Sequence, residues 1–306
     1  MPIQYFHVVF TIPQQLNAVA LQNPQAVYKI LFDCSATTLQ TIAADPKHLG
    51  ARIGFFSILH TWGQNLLHHP HVHCVVTGGG LSLQESSWVS CRPGFFLSVK
   101  VLSHLFRRLF VEALEVAFSL GKLQFYGAQA ALRDRFPQLL TELAEDAWVV
   151  YAKPPFGGPQ QVIEYLGRYT HRVAISNQRL RDIEGDQVSF EYKDYRSGQR
   201  YKSRRMSVSA DEFLRRFLLH TLPPGFARIR HYGLLASRNK KHTLLLCRKR
   251  LDVASGLLPS PAQIAAYVQQ LLAPSHLCPR CRIGPLIRIE ILPAIPYGFR
   301  PGLDSS

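Results

Sequence analysis

The stretch that most limits what this chain can become is "QYFHVVFTIP", residues 4–13. Its side chains alternate: Phe6, Val8, Phe10 and Ile12 fall on one side, Tyr5, His7, Val9 and Thr11 on the other, and Pro13 ends the run. That period of two is a β-strand with one strongly apolar face. Such a face has to be buried under a second layer. Long helical patterns can supply it: residues 14–45, and "SVKVLSHLFRRLFVEALEVAFSLG" from Ser98 to Leu120 with Gly121 as the C-cap.

The rest of the chain mixes strands and helices without regular alternation. "GARIGFFSILHTWGQNLLHH" is expected to be a buried helix stopped before Pro70, and "HVHCVVTGGG" a strand running into a glycine loop. Residues 122–147 are expected as short helical pieces and "WVVYAKPPF" as a strand. Gly157 and Gly158 break the chain, and Pro159 suits the first turn of a helix ending near His171, followed by a strand around Val173. "QVSFEYKDYRSGQRYKSRRMSVS" reads as a hairpin turning at Ser197 and Gly198, and Ser209 with Glu212 forms a capping box. The expected class is α+β, an antiparallel sheet covered by helices on one face, with a basic β-hairpin extension. A composition shift at 252–262 divides a core, 1–251, from a short proline-rich C-terminal tail, 252–306, which contains "CPRC".

Charge narrows the partners. Thirty-five Lys and Arg against 20 Asp and Glu give a formal +15, which suits a polyanion such as nucleic acid. Arginine predominates, and its planar fork fits phosphate better than lysine does. Apolar runs are interrupted well before the roughly 18 residues of a membrane span. "MPIQYFHVVFTIPQQL" lacks the pattern of a signal peptide, so a cytoplasmic location and no membrane partner are expected. Without an export signal, Cys34, Cys74, Cys91 and Cys247 are expected as reduced thiols.

Two features carry chemistry. In "HHPHVHCVV", His71 and His73 stand two apart on a strand and present two imidazoles on one face, where they can share a divalent cation. In "VIEYLGRYTHR", Tyr165 and Tyr169 stand four apart, one turn on one helix face. A phenol can attack a phosphodiester and form a covalent phosphotyrosine, and a metal on the phosphate oxygens would stabilise the developing charge. The histidine pair alone reads more simply as two structural histidines, whereas the tyrosine pair has Gln161, Arg168 and Arg172 beside it where a core stripe would more often carry Leu or Phe. Together they are complementary halves of one mechanism. His68 and His69 are expected to be structural.

"HPHVHCVVTGGGLS", "EYLGRYTHRVAIS" and "RIRHYGLLASRNK", in that order and preceded by "YFHVVFTIP", closely resemble the two-tyrosine HUH transposases of rolling-circle insertion sequences. The resemblance runs from Tyr5 to about Lys241. It implies a ferredoxin-like antiparallel sheet, the HUH endonuclease core, with the histidine strand at its centre. It implies a single-strand DNA endonuclease and strand transferase with Tyr165 and Tyr169 as nucleophiles. His71 and His73 would hold Mg²⁺ or Mn²⁺, and the substrate would be single-stranded DNA at the element ends and target. A third ligand is expected. His7 lies on the polar face of the first strand, a neighbour expected for the His71 strand, and is slightly preferred; Gln161, one turn before Tyr165, is the rival, because related enzymes draw a polar ligand from the tyrosine helix. Members of the family usually begin with a cysteine-rich zinc-binding region, whereas this sequence opens almost at the first strand, so a truncated or internal start is expected.

Cys278 and Cys281, with His276 nearby, could be part of a zinc site or a lone cysteine pair; about four ligands are needed and no second C-x-x-C follows. Expected DNA contacts are Arg168 and Arg172 beside the tyrosines, Lys193, Arg196, Arg200, Lys202, Arg204 and Arg205 on the hairpin, and Arg228, Arg230, Arg238, Lys240 and Lys241 in the last motif. Tyr192, Tyr195 and Tyr201 interleave with the hairpin cations, a mix that suits stacking on single strands. The alternatives are a rolling-circle replication initiator or relaxase, and an inactive DNA-binding remnant of a transposase. The oligomeric state is not legible.

Overall fold

A computed structural model describes residues 1–156, 158, 160–162, 165, 174–194, 202–252 and 262. Residues Met1–Asp252 form one compact unit, and it holds every element below. The strands are β1 (Tyr5–Thr11), β2 (Ala51–Trp62), β3 (His68–Ser82), β4 (Trp88–Ser90), β5 (Val150–Phe156), β6 (Leu180–Glu184), β7 (Gln187–Asp194), β8 (Lys202–Ser209) and β9 (Ile229–Gly233). The helices are α1 (Asn17–Gln22), α2 (Pro24–Ala44), α3 (Val99–Ser119), α4 (Leu132–Glu145), α5 (Ala210–Leu218) and α6 (Lys240–Arg250).

The main sheet runs β5–β1–β3–β2–β9, with β4 added to the end of β3, and its pairings are all antiparallel. The histidine strand β3 is therefore central. Phe6, Val8 and Phe10 of β1 and Val72, Cys74 and Val76 of β3 turn to one side and meet Leu31, Phe32 and Leu39 of α2 and Leu102, Phe106 and Phe110 of α3. The α3 contributors recur every fourth residue, the spacing of one helix face. Phe10 and Phe106 touch with ring centroids 4.9 Å apart. Each such side chain contributes about 1.5–3 kcal/mol by leaving water, so the alternation in β1 fixes which face is covered. Cys34, Cys74, Cys91 and Cys247 are free thiols.

Two expectations fail in the middle of the chain. Residues 50–69 are not a helix. They form β2, a turn, and the start of β3. β2 is buried on both faces: Ile53, Phe55 and Leu59 join the main core, while Phe56 and Ile58 join a smaller cluster with Val75 and Val162 on the other side. A strand covered on both faces loses its alternation and reads as a continuous apolar run, which periodicity cannot distinguish from a buried helix. Pro70 does not follow a helix but sits within β3, where the register with β2 slips between His60 and Trp62. A bulge of this kind tolerates a residue without an N–H.

Nor is the glycine run a loop. β3 continues through Gly78, Gly79 and Gly80 to Ser82. The register with β2 slips again between Ile53 and Phe55, and the backbones crowd there. A Cβ on Gly80 would lie 2.3 Å from the Arg52 carbonyl oxygen. Thr77 stitches the bulge: its Oγ1 accepts from the Gly54 N–H at 3.1 Å and donates to the Gly79 carbonyl at 2.6 Å.

A second sheet, β6–β7–β8, carries the basic hairpin. β7 and β8 pair from Gln187↔Ser209 to Asp194↔Lys202; Ser197 and Gly198, where the turn is expected, lie outside the described residues. β6 was not expected, because its residues are mostly exposed and charged and carry little apolar alternation. The Ser209 cap is present, its hydroxyl accepting from the Glu212 N–H at 3.3 Å.

A candidate metal and nucleophile centre

The face of the sheet turned away from α2 and α3 holds the histidines. β1 and β3 place Val9 opposite His73 and His7 opposite Val75, so His7 and His73 are diagonal neighbours on one face. Their rings meet: His7 Nε2 lies 2.7 Å from His73 Nδ1. β2 places His60 directly opposite His71. His60, His71 and His73 can each offer one ring nitrogen such that all three lie within 4.8 Å of one another. Among the described residues this is the one such group of three or more His, Cys, Asp or Glu side chains.

Burial sets the charge of these rings. It is the largest cause in every case. It brings His71 down to about 4 and, with Lys153 and His71 adding, His7 to about 3. His60 and His73 are held well below the usual histidine range by burial first and neighbouring histidines second. All four are neutral at pH 7, the state a metal requires of imidazole. The His69 carbonyl lies 2.7 Å from His71 Nδ1. A carbonyl only accepts, so Nδ1 carries the proton and Nε2 the lone pair. Metal-binding histidines are commonly oriented by such a partner. The donor set fits a divalent transition ion.

Tyr165 joins the cluster from the following helical segment. Its phenol lies 3.1 Å from His7 Nε2, and its ring packs edge-on against Phe156 at 5.5 Å. Tyr169, Arg168 and Arg172 lie outside the described residues, as do Arg196, Arg200, Cys278, Cys281 and the side chain of Lys202. Gln161 is described and exposed. His68 shares a hydrogen bond with the Tyr28 hydroxyl of α2 at 2.8 Å.

The basic residues divide. Arg228 stands over the Trp62 ring at 5.0 Å, and Trp62 stacks on His60 at 4.8 Å with 15° between planes. This column carries a guanidinium to the edge of the histidine cluster. Arg230 turns to the opposite face, over Phe32 at 4.4 Å and 3.7 Å from Asp33, so its guanidinium is directed away from the histidines. Arg204 pairs with Asp194 at 3.1 Å and Arg205 with Asp182 at 3.8 Å. Tyr192, Lys193 and Arg204 line a groove of about 520 Å³ with Gln64 and Asn65. Arg238, Lys240 and Lys241 are exposed around the start of α6.

His60 is the residue that sequence reasoning missed. Its signal, the alternation Phe56, Ile58, His60 in a run of β-forming residues, is visible only once 51–62 is taken as a strand.

Fold and site together define an α+β protein whose antiparallel sheet is covered by helices on one face and carries buried and half-buried imidazoles and a tyrosine on the other. Residues 54–242 match the Y2_Tnp family, described as "Putative transposase", and the chain belongs to that family. It is 55% identical over 301 residues to "Putative transposase y4qJ" of Sinorhizobium fredii (strain NBRC 101917 / NGR234), covering 95% of this chain and 74% of that protein. It is 29% identical over 238 residues to the transposase for insertion sequence element IS801 of Pseudomonas savastanoi pv. phaseolicola, covering 76% of this chain and 54% of that one. No solved structure matches the chain. Among the described residues no helix is long and apolar enough to cross a membrane.

Proposed function

We infer that this chain is the DNA-cleaving and DNA-joining part of a transposase that works on single-stranded DNA through phosphotyrosine intermediates, on an HUH endonuclease core. The observation that carries this reading is the Tyr165 hydroxyl, 3.1 Å from His7 Nε2 at the edge of the imidazole cluster. A tyrosine hydroxyl and a group of imidazole nitrogens converge at one face of one sheet, which supports this reading.

In this reading Tyr165 Oη attacks the scissile phosphorus. The new P–O bond forms to the phenol oxygen, the P–O3′ bond breaks, the phenol proton is lost and the departing 3′ oxygen takes one up. Tyr169 supplies a second phenol, so that a second strand can be held before the first is released. The joining step reverses the chemistry with a different 3′ hydroxyl, so no nucleotide cofactor is consumed. His71 and His73 would hold the cation, Mg²⁺ or Mn²⁺, with His7 or His60 as its third ligand. When bound, the metal supplies positive charge to the phosphate oxygens. Arg228 adds a fixed guanidinium at the cluster's edge, and Lys193, Arg204 and Tyr192 offer phosphate and stacking contacts along the hairpin groove.

Both relatives are named transposases, which favours transposition over replication initiation or plasmid transfer. The test is substrate class. The protein with Mn²⁺ is expected to nick a degenerate pool of single-stranded oligonucleotides and to leave the same sequences intact as duplex. Equal cleavage of both, or none of either, would contradict the reading.

A further inference from the structure

We propose that His60, on the strand beside the two-histidine strand, is the third protein ligand of the metal centre, and that His7 instead positions the Tyr165 hydroxyl. This rests on the function inferred above and assigns two residues within it.

Three observations lead here. First, His60 and His71 are register partners across β2 and β3, which brings their Cβ atoms to within about 5.5 Å, and His73 follows His71 on the same face. Ligands from a cross-strand pair and an i+2 neighbour make a compact triangle, and their nitrogens lie within 4.8 Å of one another. His7 is not in that group. Second, the nitrogen that His7 turns to the cluster already has two contacts, His73 Nδ1 at 2.7 Å and the Tyr165 hydroxyl at 3.1 Å. A single imidazole lone pair cannot serve a metal and both of these at once. Third, His60 is held in place. It is sandwiched between Trp62 at 4.8 Å and His73 at 4.2 Å, and it is only 3% exposed. Rings locked by packing are what a rigid ligand set needs.

Manganese itself is the probe. Electron spin echo measurements on Mn²⁺-loaded protein count coordinated imidazole nitrogens, and a titration of free Mn²⁺ gives the dissociation constant. The intact chain is expected to show three nitrogens. His60→Gln is expected to show two, with affinity weakened at least ~10-fold, as even outer partners of a metal commonly cost that much. His7→Gln is expected to keep three and stay within about threefold of the parent, while its yield of DNA adduct falls. Two nitrogens in the parent, or loss of one in His7→Gln with three kept in His60→Gln, would overturn the assignment. If His60→Gln does not fold, as judged by circular dichroism, His7→Gln decides alone: three nitrogens support His60 and two exclude it. A parent that binds no Mn²⁺, or a His73→Gln variant that binds it undiminished, would overturn the metal centre itself and not merely the choice of third ligand.

Discussion

One nitrogen of His7 is shared by a tyrosine and the two-histidine strand: Nε2 lies 3.1 Å from the Tyr165 hydroxyl and 2.7 Å from His73 Nδ1. His7 is contributed by β1, His73 by β3, and Tyr165 by the segment after β5. Three separated stretches of chain thus meet at one atom, and the antiparallel order that places β1 between β5 and β3 brings them there.

It follows that His7→Asn, which shortens the reach but stays polar, should lower the yield of covalent DNA adduct by roughly 10–100-fold, the range for a group that orients a reacting one. Rate against Mn²⁺ concentration should keep its midpoint. A shift of that midpoint with little loss at saturation would assign His7 to the metal instead.

The metal preference can be foreseen from the ligand type. Three neutral imidazoles without a carboxylate in the group suit transition ions better than Mg²⁺. Calorimetric titration of the DNA-free protein should give tighter binding for Mn²⁺ than for Mg²⁺ by at least ~10-fold, and for Ni²⁺ tighter still. Equal affinity for Mg²⁺ and Mn²⁺ would point to oxygen ligands.

Stability should fall in mild acid. Burial, with His220 next, brings His68 down to about 4. The unfolded chain, with its histidines near 6.5, therefore binds more protons than the folded one between those values. The contribution of His68 is complete above about pH 6.5 and is lost as pH falls toward 4, at about 1.4 kcal/mol per unit. Urea unfolding of the metal-free protein at pH 7.0, 6.0 and 5.0 should show a steady decline, reduced in His68→Gln. A flat profile would mean that His68 is protonated in the folded state.

How much of this was legible in the sequence depended on how many faces of an element are buried. β1 has one strongly apolar face, so its alternation correctly placed His7 on the polar side and Phe6, Val8 and Phe10 in the core. β2 is buried on both sides, so Phe55 and Phe56 look alike, the helix assignment failed, and His60 could not be placed. The glycine run was misassigned for a related reason. Glycine is usually a sign of a turn, but here it relieves a close approach of two backbones inside a strand.

That approach can be tested directly. Gly80→Ala places a Cβ 2.3 Å from the Arg52 carbonyl oxygen, and both partners are backbone that cannot rotate away. The expected loss is about 3 kcal/mol, read as a melting temperature lowered by roughly 5–10 °C. An unchanged melting temperature would mean that β2 and β3 do not pair this closely.

The central claim is that a phenol of this chain becomes joined to DNA. The most direct measurement is a denaturing gel of the protein incubated with end-labelled single-stranded DNA and Mn²⁺. Label that migrates with the protein, survives denaturation, and disappears in the Tyr165→Phe, Tyr169→Phe double variant and in His71→Ala is the predicted result. Adduct that persists in the double variant, or cleavage of the strand with no label retained on the protein, would contradict it.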